Sequence, residues 1–296
     1  MAVYDYAETF TNLLQQKYAR ELCSDALTKS NLQVHFINAQ TIKLPRMTLS
    51  GYKDHKRTPG FNSGEMSNDW EPKKLEHDRD IEFFIDPMDI DETNLTLSVA
   101  NIQNTFETEQ AIPEKDCYRF SKLYSELTTY NGKIDNTTLT PANILDVFDT
   151  LMTAMDEASV PEEGRILYVT PTVKKILKTA EGISRSIDVS SQSGIDRRVH
   201  SLDNVEIKSV PSARMKTLYN FTNGCVPAGG AGQINFILIH PSCVVCRDKY
   251  SYIKLFTPGT DSRTADGYLY QNRCYGDLFL LEMKKDGCAM NVQLAG

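Results

Sequence analysis

Polar and apolar residues roughly alternate over two segments near the start of the chain, a pattern that predicts two extended strands. The outgoing segment includes residues 34–36 and 41–44, and the return segment runs through residues 70–85. The stretch between them, about residues 51–64, is crowded with Gly, Pro, Asn and charged residues, which is typical of a turn. Pro45 argues against a central strand. A lone two-stranded ribbon is marginal in water, so we expect this hairpin to lie on another surface, most simply a second copy of the chain.

Apolar residues three or four apart predict helices elsewhere in the chain. Residues 4–22 carry one apolar stripe and predict an N-terminal helix. A second stripe starts near Asp91 and Glu92, which suit a helix N-terminus, and it resumes after Pro113 up to Leu127. Pro113 should kink this helix or start a second one in line with it. If continuous, the helix would have roughly 35 residues and a length of ~50 Å, which suits a strut.

The rest of the chain alternates between helix and strand patterns, so the predicted class is α+β. Helices are expected after Thr140-Pro141 and after Thr170-Pro171, and residues 181–200 are polar and predict a loop. The predicted strands cover residues 166–169, 205–210, 234–239, 250–256, 268–283 and 288–292.

Composition narrows the class of protein. The 296 residues are 41% hydrophobic and 24% charged, which suffices for a folded core, and the net charge of -7 provides no overall basic field for nucleic acid. No apolar run approaches the ~20 residues of a membrane span, and the start does not resemble a signal peptide, so we expect no membrane partner. The seven cysteines have irregular spacing, which favours reduced thiols in a cytoplasmic protein.

Three patterns invite a chemical reading, and each has a simpler explanation. Cys243 and Cys246 lie three apart on an expected strand and would face opposite sides, so we expect buried thiols rather than zinc ligands. The glycines of residues 229–232 precede a strand, whereas a phosphate loop precedes a helix. The acidic cluster of Asp86, Asp89, Asp91 and Glu92 fits helix capping better than a calcium loop. We therefore predict no catalytic residue, no cofactor and no metal, although a soluble thiol or hydrolytic enzyme stays open as an alternative.

Several short runs, in this order, resemble the major capsid proteins of tailed double-stranded-DNA bacteriophages. The runs are RDIEFFID (79–86), DET (91–93), IPEKDCYRF (112–120), LYVTP (167–171), IHPS (239–242) and YGDLF (275–279). The resemblance implies an N-terminal arm (1–32), an extended two-stranded E-loop (33–86) and a peripheral domain with a long spine helix (87–139). It further implies an axial α/β domain (140–246) and strands that return to both domains (247–296).

The function implied by this resemblance is self-assembly through pentamers and hexamers into an icosahedral shell around the phage genome. The expected partners are other copies, a separate scaffolding protein, a portal protein at one vertex and packaged DNA, and the expected location is the virion capsid, assembled in the bacterial host cytoplasm. An encapsulin-like compartment is the alternative within the same fold. The residues expected at contacts between subunits are Lys43, Arg46, Lys53, Lys56, Arg57, Trp70, Glu71, Lys73, Lys74, Asp261 and Arg263.

Overall fold

The computed structural model describes residues 21–29, 35–36, 41–55, 61–92, 99–180, 201–260 and 266–294. In chain order the strands are β1 (His35–Phe36), β2 (Thr41–Leu49), β3 (Met66–Lys74), β4 (His77–Ile85), β5 (Lys133–Asp135), β6 (Ile166–Val169), β7 (Ser201–Leu202), β8 (Val205–Ser209), β9 (Tyr219–Asn220), β10 (Val226–Pro227), β11 (Gln233–Ile239), β12 (Val244–Phe256), β13 (Tyr268–Leu280) and β14 (Cys288–Gln293). The α-helices are α1 (Pro87–Glu92), α2 (Val99–Phe106), α3 (Ile112–Thr129), α4 (Ile144–Glu157) and α5 (Pro171–Thr179). The predicted α+β class is confirmed.

A mixed six-stranded sheet, in the order β5-β14-β11-β6-β8-β7, has helices on both faces. Along β11, Ile237 and Ile239 pack toward α3, while Phe236 and Leu238 pack toward α4 and α5. A break in register between Ile234 and Phe236 places Ile234 on the α3 side as well, because the extra residue of a bulge shifts the alternation by one. The two faces of the sheet therefore belong to two separate cores.

The long helix contains a π-helical turn, Glu107–Ala111, that joins α2 to α3. Pro113 lies in the first turn of α3, where it lacks an N–H and would crowd the carbonyl group four residues before it. That carbonyl group belongs to Glu109, which lies in the wider π turn, and the backbone stays helical through residues 99–129. This matches the predicted second helix in line with the first, and the continuous part is about 45 Å long.

The start of this region differs from the prediction. A helix begins at Pro87, earlier than the predicted start near Asp91, because Asp86 Oδ1 accepts a hydrogen bond from the Met88 N–H at 2.9 Å. The predicted N-terminal helix falls almost wholly on residues 1–20, and the predicted polar loop falls on residues 181–200. Both of these ranges lie outside the described residues.

The segment before the hairpin is held on α3 by a buried carboxylate. Asp116 accepts hydrogen bonds from the backbone N–H groups of Cys23 at 3.1 Å and Ser24 at 3.0 Å, and it pairs with Arg214 at 2.9 Å. Leu27 from the same segment lies in the core beside Phe120 of α3. Because the buried charge has a charged partner and amide donors, it can be accommodated without an unpaired ion.

In the described ranges, the strands outside the six-stranded sheet form three further sheets: β12-β13-β4, β1-β2-β3 and the short pair β10-β9. The prediction of one return strand across residues 70–85 is wrong, because β3 pairs with β2 whereas β4 pairs with β13. Leu75 is buried at the point where the chain passes from one sheet to the other.

The predicted helix starts have different outcomes. Thr170 caps α5 as expected, with its Oγ1 accepting from the Val173 N–H at 3.4 Å and Pro171 in the first turn. Helix α4 begins at Ile144 rather than directly after Thr140. Asn143 Oδ1 accepts a hydrogen bond from the Thr140 N–H at 2.7 Å, and this bond forms a turn before the helix. None of the helices in the described ranges combines the length and the apolar character needed to cross a bilayer.

Candidate inter-subunit surface

The hairpin β2–β3 is anchored at its base by a small core. Thr41 lies opposite Lys74 at the base, and Leu49 lies opposite Met66 at the far end of the paired region. The side chains of Ile42 and Leu44 are buried together with Leu75, Val245 and Phe279. Nine residues per strand reach about 30 Å from this anchor.

The outer half of the hairpin exposes large apolar side chains to solvent. Leu49 and Met66 are 68% and 74% exposed, and Phe61 is 97% exposed. Met47 and Tyr52 belong to the same exposed set. Apolar groups gathered on one protruding element mark an interaction site in a soluble protein. Among the described residues, the apolar cluster that fixes the base includes no residue of this outer half.

Hydrogen bonds link the described residues on the two sides of the hairpin tip. The Ser50 N–H donates to Glu65 O at 2.9 Å, and the Glu65 N–H donates back to Ser50 Oγ at the same distance. Lys53 Nζ donates to Ser63 O at 3.0 Å, and Asn62 Nδ2 donates to Asp54 O at 2.8 Å. These bonds join the two sides of the tip without adding apolar burial.

Lys73 ties the hairpin base to the end of α3. Its Nζ lies 2.9 Å from Glu71 and 3.8 Å from Glu126, donates to the Tyr130 hydroxyl and sits 4.9 Å from the centre of that ring. Burial by itself lowers the pKa of Lys73, but the hydrogen bonds to Glu71 and Tyr130 and the charge of Glu126 outweigh it and raise the pKa. Burial also raises the pKa of Glu126. The ammonium group is therefore held inside its own subunit.

The expected contact residues divide into three groups in the structure. Trp70, which is 46% exposed, and Lys74 face solvent, and Lys43 is half-buried. The second group forms contacts inside the subunit. Lys53, Glu71 and Lys73 form those described above, and Arg46 forms a 2.9 Å ion pair with Glu282. Lys56, Arg57, Asp261 and Arg263 lie outside the described residues. A role for any of them between subunits stays a prediction.

The hairpin carries a charge opposite in sign to the rest of the chain. Residues 41–74 contain seven Lys or Arg and four Asp or Glu, a formal charge of +3. Because the whole chain has a formal charge of -7, the remainder carries -10. The hairpin and the remainder of the chain therefore carry formal charges of opposite sign.

The helical strut consists of α2, the π turn and α3. An open groove of about 620 Å³ lies between this strut and the β12-β13-β4 sheet. Phe83 and Phe106 supply apolar wall, and their ring centroids are 5.6 Å apart. Arg79 pairs with Glu114 across the groove at 2.6 Å. The lining of the groove offers both apolar and charged contacts.

The structure corrects the prediction for the cysteine pair, because Cys243 ends the 3₁₀ turn Pro241–Cys243, Cys246 lies in β12, and both pack in the same core. Cys243 and Cys246 are buried, and burial raises the pKa of their thiols to about 12 and about 11. The loop with Gly229 and Gly230 leads into the strand β11, as predicted. Within the described ranges, no group of three or more His, Cys, Asp or Glu is arranged to hold a metal ion.

Comparison with solved structures identifies the fold. The mature capsid of bacteriophage PhiM1 matches with a TM-score of 0.69 at 12% identity, covering 97% of this chain and 91% of that one. A structure from Mycobacterium phage Che8 matches with a TM-score of 0.66 at 13% identity, covering 96% of both chains. The capsid of Cyanophage P-SCSP1u matches with a TM-score of 0.64 at 11% identity, covering 98% and 93%. No protein-family model and no curated protein sequence matches the chain.

The chain therefore has the fold of phage capsid proteins. The resemblance predicted from the short sequence runs is confirmed at the level of the fold, and the similarity extends over nearly the whole length of the chain.

The sequence pattern did not reveal two features of this surface. The strut residues Glu126 and Tyr130 meet Lys73 only in the folded chain, and the groove forms between elements that are distant in sequence. The exposed apolar set had a visible signal, since Met47, Leu49 and Met66 alternate with polar residues in a hairpin that has no second covering layer.

Proposed function

We propose that the chain is the major capsid protein of a tailed phage and assembles through pentamers and hexamers into an icosahedral shell around double-stranded DNA. The observation that carries this proposal is a capsid fold matched over nearly the whole chain, together with a hairpin whose described outer residues expose large apolar side chains. A structural rather than an enzymatic role is consistent with both.

We assign the hairpin to the E-loop, which lies across the strut of a neighbouring subunit in the same capsomer. The groove along α2, the π turn and α3 supports this arrangement, because it is open to solvent on that strut. The other proposed divisions are the arm (1–32), the E-loop region (33–86), the peripheral domain (87–139), the axial domain (140–246) and the returning strands (247–296). Loops 181–200 and 222–233 are candidates for contacts around the axes, and residues 257–267 for contacts between capsomers.

The proposed partners follow from this role. Identical copies form the shell, a separate scaffolding protein guides its size, a portal protein occupies one vertex, and packaged DNA touches the inner surface without sequence preference. An acidic subunit holds DNA weakly, which suits a container that must later empty. Assembly takes place in the bacterial host cytoplasm, and the product is the virion capsid.

Deletion of residues 53–66 tests the proposal. The shortened chain should stay folded, because the hairpin base is anchored by Ile42 and Leu44 and not by the tip. It should fail to form closed particles, because the exposed apolar contacts of the tip are lost. Native mass spectrometry and electron microscopy of the chain, expressed with the proteins encoded beside it, distinguish capsomers and megadalton particles from monomers.

The full-length chain, prepared in the same way, is the control and should form particles. If the full-length chain stays monomeric, the proposed function is wrong. If the deletion variant forms normal particles, the role of the hairpin is wrong. Particles that contain an enclosed enzyme instead of DNA would favour the encapsulin-like alternative.

A further inference from the structure

The two helices that pack on one face of the six-stranded sheet, α4 and α5, carry charges of opposite sign. Helix α4 contains four acidic residues and neither Lys nor Arg, whereas α5 contains three lysines and neither Asp nor Glu. The acids are Asp146, Asp149, Asp156 and Glu157, and the lysines are Lys174, Lys175 and Lys178. The outer face of a solvated helix usually mixes both signs, often as opposite charges four residues apart. This separation is therefore unusual for surfaces that contact only water.

The lysines of α5 form one stripe on the side of the helix that faces solvent. Val173 and Leu177 are buried in the core, whereas Lys175 is exposed and Lys174 and Lys178 are partly exposed. At about 100° per residue, the three lysines span an arc of about 100° opposite the buried side chains. Within the described residues, none of the three forms an ion pair. The stripe is therefore a positive surface whose charges repel each other.

The acids of α4 lie on the solvent-facing side of that helix, and all four are exposed. Asp156 has a cationic partner, because it pairs with the buried Arg165 at 2.7 Å. Burial and the negative charges of Asp203 and Asp146 raise the pKa of Asp149. Asp203 lies in the turn between β7 and β8, so carboxylates from two elements meet on this surface. The solvent face of α4 is therefore as uniformly negative as the stripe on α5 is positive.

The charges of the two helices do not neutralise each other within the subunit. The helices lie next to each other on the sheet, yet among the described residues no ion pair joins them. Like charges three or four residues apart are unfavourable on an isolated helix, and a covering surface of opposite sign makes them favourable. The chain carries both surfaces that such a contact needs. A second copy can therefore place its α4 against α5 of the first.

We propose that α5 is a docking surface for a second copy of the chain, which it binds through the acidic outer face of that copy's α4. The contact joins two different surfaces, so a copy that is bound through α5 still offers its own α4 to a further copy. Contacts of this kind build a ring where the rotation closes. The inference rests on the proposed function in placing the contact between neighbours of one capsomer, but the contact itself can be detected in an oligomer of any size.

Cross-linking of a mixture of labelled copies tests the contact. Unlabelled and ¹⁵N-labelled chains are mixed in the unassembled state, allowed to associate and treated with a water-soluble carbodiimide. This reagent condenses a lysine amine with a carboxyl group in contact with it and leaves an amide bond without a spacer. After digestion, mass spectrometry should find peptides of α5 joined to peptides of α4 with one label on each. Only a contact between copies produces such mixed pairs, since a contact within one copy joins peptides of the same label.

Reversal of charge gives a second measurement. The reversed-α5 variant carries Lys174→Glu, Lys175→Glu and Lys178→Glu. The reversed-α4 variant carries Asp146→Lys, Asp149→Lys and Glu157→Lys, and it keeps the ion pair of Asp156 with Arg165. Each variant alone should associate about tenfold or more slowly than the wild type at 0.1 M salt, measured by light scattering. An equal mixture should recover most of the rate, because each α5 then meets an α4 of opposite sign.

A matched control separates this contact from a general effect of net charge. The control variant carries Lys133→Glu, Lys254→Glu and Lys284→Glu, which makes the same change of charge at exposed positions outside both helices. When it is mixed with the reversed-α4 variant, it should not bring that variant into the assemblies. Equal recovery with the control would overturn the inference.

The outcomes distinguish the inference from the proposed function. Closed particles without mixed-label links between α5 and α4 would overturn the inference and leave the proposed function intact. Mixed-label links in small oligomers that never close into particles would support the contact and contradict the proposed function. A chain that stays monomeric under all conditions would contradict both.

Discussion

At the scale of single residues, His77 links the packing of the strut to pH. Its ring stacks on Tyr118 with centroids 3.8 Å apart and meets the edge of Phe221 at 5.8 Å. Burial and, after it, the charge of Arg79 lower the pKa of His77 to about 4, and the charge of Asp248 opposes them. The unfolded chain has a His pKa near ~6.5 and so takes up this proton first, which means that folding stability is lost as pH falls from about 6.5 to about 4.

His77→Phe should flatten this pH dependence. The variant keeps an aromatic ring on Tyr118 but has no group that binds a proton. The loss of folding stability between pH 7 and pH 4 should therefore shrink by on the order of 2 kcal/mol. Denaturant unfolding at several pH values measures the effect. The control His55→Phe removes a histidine from the exposed hairpin tip and should leave the dependence as it is in the wild type. An unchanged dependence in His77→Phe would contradict the assignment.

At the scale of elements, the two halves of the hairpin should respond differently to loss of apolar groups. Ile42 is 1% exposed in the anchoring core, so Ile42→Ala should lower the free energy of unfolding by about 3 kcal/mol. Met47 and Leu49 are 55% and 68% exposed, so Met47→Ala combined with Leu49→Ala should change it by less than about 0.5 kcal/mol. The double variant should nevertheless impair assembly if these side chains are covered by a neighbour.

Urea unfolding measures the free energy of unfolding, and the yield of particles in electron microscopy measures assembly. The effect on stability and the effect on assembly can be separated, because Ile42→Ala changes a buried residue and the double variant changes exposed residues of the same strand. Normal particle yield from the double variant would mean that the outer half does not contribute to subunit contacts.

The same elements show how far the sequence predicts the fold. The strands β6 and β11 are predictable because their apolar runs are buried on both faces, and α5 is predictable because Thr170 and Pro171 mark its start. The split between β3 and β4 is not predictable, because the alternation continues through Leu75 while the pairing partner changes from β2 to β13. Periodicity fixes which side chains share a face of a strand, but it carries no information about the neighbour of that strand.

The contact surface shows the same limit. Its charged and apolar residues can be identified in the sequence. The hydrogen bond of Lys73 to Tyr130 and the ion pair of Arg46 with Glu282 cannot, because they depend on where the strut and the 3₁₀ segment Glu282–Gly287 lie in the folded chain. In the sequence, Lys73 cannot be distinguished from the other lysines of the hairpin. In the structure it lies beside Glu126, whereas Lys74 is exposed.

At the scale of the whole molecule, the hairpin and the rest of the chain carry formal charges of opposite sign. Many subunits with a net charge of -7 repel each other, yet the hairpin with +3 is attracted by a neighbour whose remaining residues carry -10. Such attraction raises the rate of encounter and weakens as salt shortens the screening length from about 10 Å at 0.1 M to about 3 Å at 1 M. The hairpin should therefore direct assembly most strongly at low salt.

Charge reversal tests this prediction. Lys53→Glu combined with Lys74→Glu changes the hairpin charge from +3 to -1, and particle formation followed by light scattering should slow by about tenfold or more at 0.1 M salt. The difference from wild type should largely disappear at 1 M salt, because the attraction is then screened. Lys133→Glu combined with Lys254→Glu gives the same net charge from exposed positions outside the hairpin, so it should slow assembly much less. Equal slowing in both double variants would show that general repulsion controls the rate and that the hairpin charge does not select the partner surface.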